Sequence, residues 1–93
     1  MPSSPPPTER VLARRRAIGD QIRAARKTAG LTQEAVALRV DMTLAQYNRI
    51  EKAHASPLLD TLIRIADAIG VPLAELVREE PRPGAGNADR PGR

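Results

Sequence analysis

The sequence is short of the residues that most often carry chemistry. Its 93 residues include no cysteine and one histidine, His54, which excludes disulfides and cysteine-based zinc sites and argues against a Ser–His catalytic pair. Tyr47 is the only aromatic residue, so the core must be aliphatic. Glycine-rich phosphate loops and the HExxH zinc pattern are also missing. We therefore expect no catalytic site, no bound metal and no cofactor.

Long apolar runs are missing as well. Nothing approaches the ~18 residues of a membrane span, and residues 1–8 hold four prolines and no hydrophobic stretch, unlike a signal peptide. We expect a cytoplasmic protein without membrane contact. The length fits at most one small domain. The segment after Pro81 is too short for a fused enzyme or sensor domain, so no small-molecule ligand is implied.

Proline and glycine concentrate at the two ends of the chain. Residues 1–7 and 81–93 hold seven of the nine prolines, three of the six glycines and almost no large apolar residues. Such segments bury too little surface to offset the entropy of ordering, which predicts disordered tails. We divide the chain into a Pro-rich tail with a basic helical extension (1–16), one domain (17–78) and a disordered C-terminal tail (79–93).

The net charge of +4 is unevenly distributed. Residues 1–30 carry seven Arg or Lys against two acidic residues, whereas residues 58–80 carry two against five. A basic first part of the chain and an acidic later part indicate a protein that binds a polyanion with one side of its surface. A solvated charged surface without a partner is the alternative. The arginine run at residues 14–16 is open to the same two interpretations, a phosphate contact or a solvated helix face.

The middle of the chain has the period of helices and none of the alternation of strands, so the predicted fold class is all-α. The first helix begins at Thr8 and is closed by Gly30, with a frayed part over residues 8–16 because Gly19 weakens it. Two short helices follow over residues 32–40 and 43–52, capped by Thr32 and Thr43. The fifth helix spans residues 72–78. The fourth ends at Gly70 and has an apolar stripe of Leu59, Leu62, Ile63, Ala66 and Ile69.

Two short helices joined by a break of two or three residues have the spacing of a helix-turn-helix, here over residues 32–52. Residues 31–34 (LTQE), 49–51 (RIE), 56–57 (SP) and 66–71 (ADAIGV) add specificity. From about residue 18 to 77 the chain resembles the Cro and phage-repressor-like helix-turn-helix family, also called the xenobiotic response element family. The resemblance implies a compact five-helix lambda-repressor-like domain that binds double-stranded DNA and regulates transcription.

The resemblance makes residues 43–52 the recognition helix, which lies in the major groove. With Tyr47 and Ile50 facing inward, a rotation of 100° per residue turns the other side of this helix outward. Arg49 can pair with guanine and Asn48 with adenine; for both, a phosphate or solvent contact is the alternative. Leu44 and Ala45 can contact thymine methyl groups. The expected DNA-binding residues are Gln33, Thr43, Leu44, Ala45, Asn48, Arg49 and Lys52.

Within this set, the family places Gln33 against a DNA phosphate, and the alternative is that Gln33 closes the end of its own helix. Thr43 caps the recognition helix and can also donate its hydroxyl to a phosphate. In this family an arginine of the first helix commonly pairs with the acidic residue that ends the recognition helix. Arg26 and Glu51 occupy these positions, and we expect them to support the site structurally.

The chain departs from the family at two turns. Asp41 stands in the turn between the two helices and Ala53 follows the recognition helix, where the family usually has glycine. Asp tolerates a positive φ better than most residues, so we expect the first turn to keep this form at a higher cost than with glycine. The loop over residues 53–55 can run differently, which leaves open whether His54 contacts a phosphate.

One helix-turn-helix reads only a few base pairs, so we expect a homodimer on a palindromic operator. Leu73, Leu76 and Val77, with Leu58 and Leu59, are the candidate dimer surface. The alternative is that the residues of the fifth helix close the core of the monomer. A different class of function is also open, since some members of the family are antitoxins or coactivator-like proteins that mainly bind another protein.

Overall fold

A computed structural model describes residues 6–79, which form five helices and no strand. The helices are α1 (Glu9–Thr28), α2 (Gln33–Arg39), α3 (Leu44–Glu51), α4 (Leu59–Ile69) and α5 (Leu73–Val77). The all-α prediction is confirmed. None of these five helices is long and apolar enough to cross a membrane. The tails predicted to be disordered lie, apart from residues 6–7 and 79, outside the described residues.

Threonines begin the first three helices and glycines follow two of the helix ends. The side chains of Thr8, Thr32 and Thr43 each accept a backbone N–H from the first turn of α1, α2 and α3. Gly30 and Gly70 adopt positive φ values of 73° and 91° after α1 and α4, a conformation that costs glycine little. Each of these caps follows the sequence prediction.

The first helix is regular over its whole length, contrary to the expected fraying of residues 8–16. Its first half is held by the other end of the domain. Arg14 Nη2 donates to the carbonyl oxygens of Val77, at 3.2 Å, and Arg78, at 3.1 Å. Arg10 forms an exposed ion pair with Glu79. Arg14 therefore bonds to the end of α5, which neither interpretation of the arginine run anticipated.

Each helix contributes one completely buried large side chain to a single core. These are Ile22 from α1, Val36 from α2, Tyr47 from α3, Ile65 from α4 and Leu76 from α5. Ala37, Val40, Ile50, Ala66 and Ile69 complete the buried set. The only aromatic ring thus lies at the centre of an otherwise aliphatic core, as the sequence predicted.

Two predictions about apolar faces are wrong. The stripe expected on α4 includes Leu59 and Ile63, yet both are exposed and Ile65 is buried in their place. The helical rotation places Leu59 and Ile63 at the edge of the face that Ile65 and Ile69 bury. Leu76, expected in a dimer surface, is completely buried, so α5 closes the core of the monomer.

Gly19 lies in the middle of α1 where that helix meets the end of α3. A Cβ atom at this position would lie 2.5 Å from the carbonyl oxygen of Glu51 and 3.1 Å from that of Ile50. These atoms belong to the backbone and cannot rotate away. The glycine that weakens helix propensity in the sequence is therefore required for the close approach of the two helices.

We predict that Gly19→Ala destabilises the domain by about 1–3 kcal/mol, the usual cost of overpacking, although alanine is the better helix former. The free energy of unfolding in urea measures this. Asp20→Ala is the matched control, because Asp20 is the exposed neighbour of Gly19 on α1, and it should change stability by less than about 0.5 kcal/mol. An equally stable Gly19→Ala protein would contradict the close approach.

Candidate nucleic-acid interface

The turn between α2 and α3 takes the left-handed conformation that the family usually assigns to glycine. Asp41 has a φ of 59°, and the N–H of Met42 donates to the carbonyl of Ala37 at 2.9 Å. Thr43 and Gln46 then form a reciprocal capping box that begins α3. The two helices are thereby joined as a helix-turn-helix, with aspartate at a position where it is tolerated.

The loop after α3 also takes a left-handed residue. Ala53 has a φ of 63°, and the N–H of His54 donates to the carbonyl of Arg49 at 2.8 Å. An alanine in this region costs about 1–2 kcal/mol relative to the right-handed conformation. Replacing the usual glycine therefore leaves the positive φ of this turn in place, and His54 is exposed beside the end of α3.

The carboxylate of Glu51 joins three helices beneath the exposed face of α3. It accepts from Arg26 of α1 through Nε at 2.7 Å and Nη2 at 3.1 Å. It also accepts from Gln33 Nε2 of α2 at 3.0 Å and from the hydroxyl of Tyr47. Arg26 Nη1 donates to the carbonyl of Leu31 at 2.9 Å. The expected Arg26–Glu51 pair is present and nearly inaccessible to solvent.

Burial and hydrogen bonding act in opposite directions on Glu51. Burial alone raises the pKa of its carboxyl group, but the hydrogen bonds from Arg26, Tyr47 and Gln33 outweigh burial and leave the pKa below its ordinary value. The hydrogen bond to Glu51 raises the pKa of Arg26. Burial, followed by the bond to Glu51, raises the pKa of Tyr47. The group is therefore a charged pair with a neutral phenol over the physiological range.

Gln33 and Asn48 extend this group of hydrogen bonds toward the surface. Gln33 donates to Glu51, and its Oε1 accepts from Asn48 Nδ2 at 3.2 Å. Thr32, rather than Gln33, closes the start of α2. Asn48 is half-buried, and its Oδ1 accepts no hydrogen bond within residues 6–79. The side chain of Asn48 is thus held through Gln33 with one amide oxygen available.

The remaining expected contact residues share the outer side of α3. Thr43, Leu44, Ala45 and Lys52 are all exposed. Arg49 is exposed too, but its Nη2 donates to the carbonyl of His54 at 2.7 Å. The structure therefore places most of the predicted residues on one accessible face and turns Arg49 back toward the loop that follows α3.

A basic groove of about 820 Å³ lies beside this face, between α1, the start of α2 and the end of α3. Arg16, Arg23 and Lys27 line it from α1, and Lys52 lines it from the end of α3. None of these four cations has a partner among the described residues. Three carboxylates also line the groove: Asp20, Glu34 and Glu51, the last of which is paired with Arg26.

Sequence reasoning missed two of these groove residues, Arg23 and Lys27. The signal was present in their spacing, because residues 16, 23 and 27 are separated by seven and four positions. That spacing places all three side chains on one face of a helix. Counting charge over the first thirty residues recorded the excess of cations without showing that they share a face.

Five helices, of which α2 and α3 form a helix-turn-helix and α3 has an exposed face, define the class of helix-turn-helix domains. The family model described as Helix-turn-helix (HTH_3) matches residues 22–76. The chain therefore belongs to this family of DNA-binding transcription regulators, and the resemblance stated from the sequence is confirmed. A comparison with curated proteins gives no significant match.

Solved structures share the fold at low sequence identity. One is the restriction-modification controller protein C.AhdI from Aeromonas hydrophila, with a TM-score of 0.66, 23% identity, and coverage of 69% of this chain and 97% of that one. The clp gene regulator ClgR from C. glutamicum has a TM-score of 0.65 and 21% identity, and the match covers 68% of this chain and 82% of that one. The competence regulator ComR from Streptococcus vestibularis has a TM-score of 0.65 and 31% identity, and the match covers 72% of this chain and 23% of that one.

We predict that Arg26→Ala chiefly lowers the melting temperature, because it leaves Glu51 buried without its cation. Breaking a buried pair costs about 3–5 kcal/mol. The loss of stability should be full at pH 7. The pKa of Glu51 in the folded protein lies below the value of about 4.3 for an unfolded glutamate. As pH falls through this lowered pKa, the wild type loses the stabilisation from the pair, and the difference between wild type and variant should shrink. Thermal melts at pH 7 and 3.5 measure both effects. An unchanged melting temperature with lost DNA binding would place Arg26 in the DNA interface instead.

Proposed function

We propose that the chain is a sequence-specific regulator that binds double-stranded DNA with α3 in the major groove and has no catalytic activity. The observation that carries the proposal is the exposed face of α3 lying against a groove with four unpaired cations. Such an arrangement suits a ligand that offers base edges in a groove and phosphates along its rim. A regulator of this kind acts where the DNA is, so we propose a cytoplasmic location.

Asn48 is the residue whose geometry best supports a base contact. Recognition of adenine requires an amide that donates to N7 and accepts from N6. Asn48 has a free Oδ1, and its Nδ2 carries a second hydrogen beyond the one donated to Gln33. Holding the amide in place before binding reduces the entropy that the contact would cost. Leu44 and Ala45 supply apolar surface for thymine methyl groups.

The remaining contacts are proposed to be sequence-independent, apart from Arg49. Thr43, Lys52 and Gln33 lie at the ends of α3 and α2, where side chains of this kind contact phosphates. For Gln33 the role is a second one, because its amide already links Asn48 to Glu51. Arg49 reaches guanine in this proposal by exchanging its bond to the His54 carbonyl for one to the base.

A homodimer on a palindromic operator completes the proposal. One recognition helix reads only a few base pairs, which gives little discrimination against competing genomic DNA. Two copies related by a twofold axis double the contacts and space their recognition helices by ~34 Å, one turn of DNA. Proteins that share the fold are named as a controller and as regulators, which supports a regulatory role.

We predict that DNA selected from a random pool by the pure protein yields one preferred sequence with twofold symmetry. Affinity for it should fall by about 10³-fold or more between ~50 and ~200 mM salt, if six phosphates are contacted. Fluorescence anisotropy with the selected duplex and a scrambled duplex measures both properties. A flat salt profile without sequence preference would favour the alternative, a protein-interaction module of the same fold.

We predict different effects for two exposed cations at the end of α3. Arg49→Ala should weaken binding by roughly 1–3 kcal/mol and relax the preference at one base position. Lys52→Ala should weaken binding to all sequences about equally, as the loss of a phosphate contact does. Repeating the selection with each variant separates the two patterns. A uniform loss of affinity in Arg49→Ala would make Arg49 a phosphate contact.

A further inference from the structure

Two side-chain amides connect the buried carboxylate of Glu51 to the outer face of α3. Glu51 Oε1 accepts from Gln33 Nε2 at 3.0 Å, and Gln33 Oε1 accepts from Asn48 Nδ2 at 3.2 Å. Gln33 is the first residue of α2, whereas Asn48 and Glu51 both lie on α3. We call Gln33 and Asn48 the amide pair. It leads from a buried charge to a half-buried amide beside the expected base contacts.

The charge of Glu51 determines which end of the Gln33 amide faces it. An ionised carboxylate offers acceptors and no donor, so only the NH2 group of Gln33 can bond to it. The reversed amide would place Gln33 Oε1 against Glu51 Oε1, one acceptor against another. Burial opposes ionisation of this carboxyl, but the hydrogen bonds from Arg26, Tyr47 and Gln33 leave its pKa below the ordinary value. The carboxylate is therefore ionised at neutral pH, and Gln33 keeps one orientation.

The orientation of Gln33 in turn fixes the orientation of Asn48. Gln33 Oε1 is an acceptor, so it bonds to the NH2 group of Asn48 and not to Oδ1. Asn48 keeps Oδ1 and the second Nδ2 hydrogen, and neither is bonded within residues 6–79. An amide that rotates freely can exchange its two ends. Asn48 cannot do so without placing its Oδ1 against Gln33 Oε1.

An amide with a fixed orientation separates adenine from guanine in the major groove. Adenine offers an acceptor at N7 and a donor at N6, which match the free hydrogen and the free oxygen of Asn48. Guanine offers two acceptors, N7 and O6. An asparagine that turns freely can give its NH2 group to guanine and point its oxygen away. With Gln33 in place, the oxygen of Asn48 would meet an acceptor of guanine, and this unfavourable contact adds to selectivity.

We propose that Gln33 is a positioning residue that makes Asn48 selective for adenine over guanine, with the charge of Glu51 setting the orientation of both amides. The inference rests on the proposed DNA-binding function, in which Asn48 contacts a base. It gives α2 a part in sequence selectivity. A phosphate contact from Gln33 alone would not do so, because phosphates carry no sequence information directly.

The first test measures base preference in Gln33→Met, which keeps the length and helix propensity of the side chain but removes its amide. Asn48→Ala first identifies the base pair that Asn48 contacts. At this base pair, Gln33→Met should lower the preference for adenine over guanine by about 5-fold or more, the lower bound of what a bidentate contact supplies. Adding Gln33→Met to Asn48→Ala should lower it no further.

Glu34→Met is the matched control, because Glu34 is the exposed neighbour of Gln33 on α2 and has no partner within residues 6–79. It should leave the base preference unchanged. Anisotropy with duplexes that differ only at the identified base pair measures all variants, and thermal melts verify that each is folded. An equal loss of affinity for both duplexes in Gln33→Met overturns the proposal and makes Gln33 a phosphate contact only.

The second test needs no DNA. The ¹H–¹⁵N heteronuclear NOE of the Asn48 side-chain NH2 group reports how firmly this amide is held in the free protein. The NOE should be high in the wild type and in Glu34→Met, and it should fall in Gln33→Met. An equally high NOE in Gln33→Met overturns the positioning role of Gln33.

Together the two tests separate failure of this inference from failure of the proposed function. A wild type that holds the Asn48 amide firmly but prefers no DNA sequence overturns the proposed function, and the selectivity assigned to Gln33 falls with it. A wild type that prefers one sequence, and whose adenine preference and NOE are the same in Gln33→Met, overturns the positioning role alone.

Discussion

The carboxylate of Glu51 lies where α1, α2 and α3 meet, and its hydrogen bonds set the position of α3. An ionised carboxylate is costly to bury unless donors surround it. Here they come from Arg26, Gln33 and Tyr47, one on each helix. Satisfying one charge therefore fixes the relative placement of three helices. The same residue lies against α1 through its backbone, because its carbonyl oxygen occupies the space that a side chain on Gly19 would need. The aromatic ring of the core, Tyr47, is also held in its orientation by the hydrogen bond from its hydroxyl to Glu51.

Two groups of basic residues within residues 6–79 differ in what they contact. Several arginines bond to the protein itself: Arg14 to the end of α5, Arg39 to the carbonyl of Ala68 and Arg26 to Glu51. Four other cations, Arg16, Arg23, Lys27 and Lys52, have no partner among the described residues and line one groove beside α3, where they are free to meet a polyanion. Net charge therefore describes the overall electrostatic attraction to a polyanion, but not which cations can contact it. The placement of the free cations is what directs that attraction toward one face.

Local chemistry made much of the fold predictable, whereas contacts between distant segments did not. Threonine caps, the glycine at residue 70 and the period of the helices are properties of short stretches, and they predicted the elements correctly. The Arg26–Glu51 pair followed from family resemblance. Gly19 was interpreted as a weak point because its partner, the backbone of Ile50 and Glu51, lies more than thirty residues further along the chain. The exposure of Ile63 was missed for a similar reason, since periodicity identifies an apolar side of a helix but not how much of it neighbours cover.

The bonds from the first half of α1 to the end of α5 have a consequence for the topology of the chain. Arg10 meets Glu79, and Arg14 meets the carbonyl oxygens of Val77 and Arg78. Within residues 6–79, the path of the backbone therefore ends beside the helix in which it begins and is nearly a closed ring. Rings of this kind can be joined at their ends and opened in an exposed loop without changing the packed helices, which is the geometry of a circular permutation.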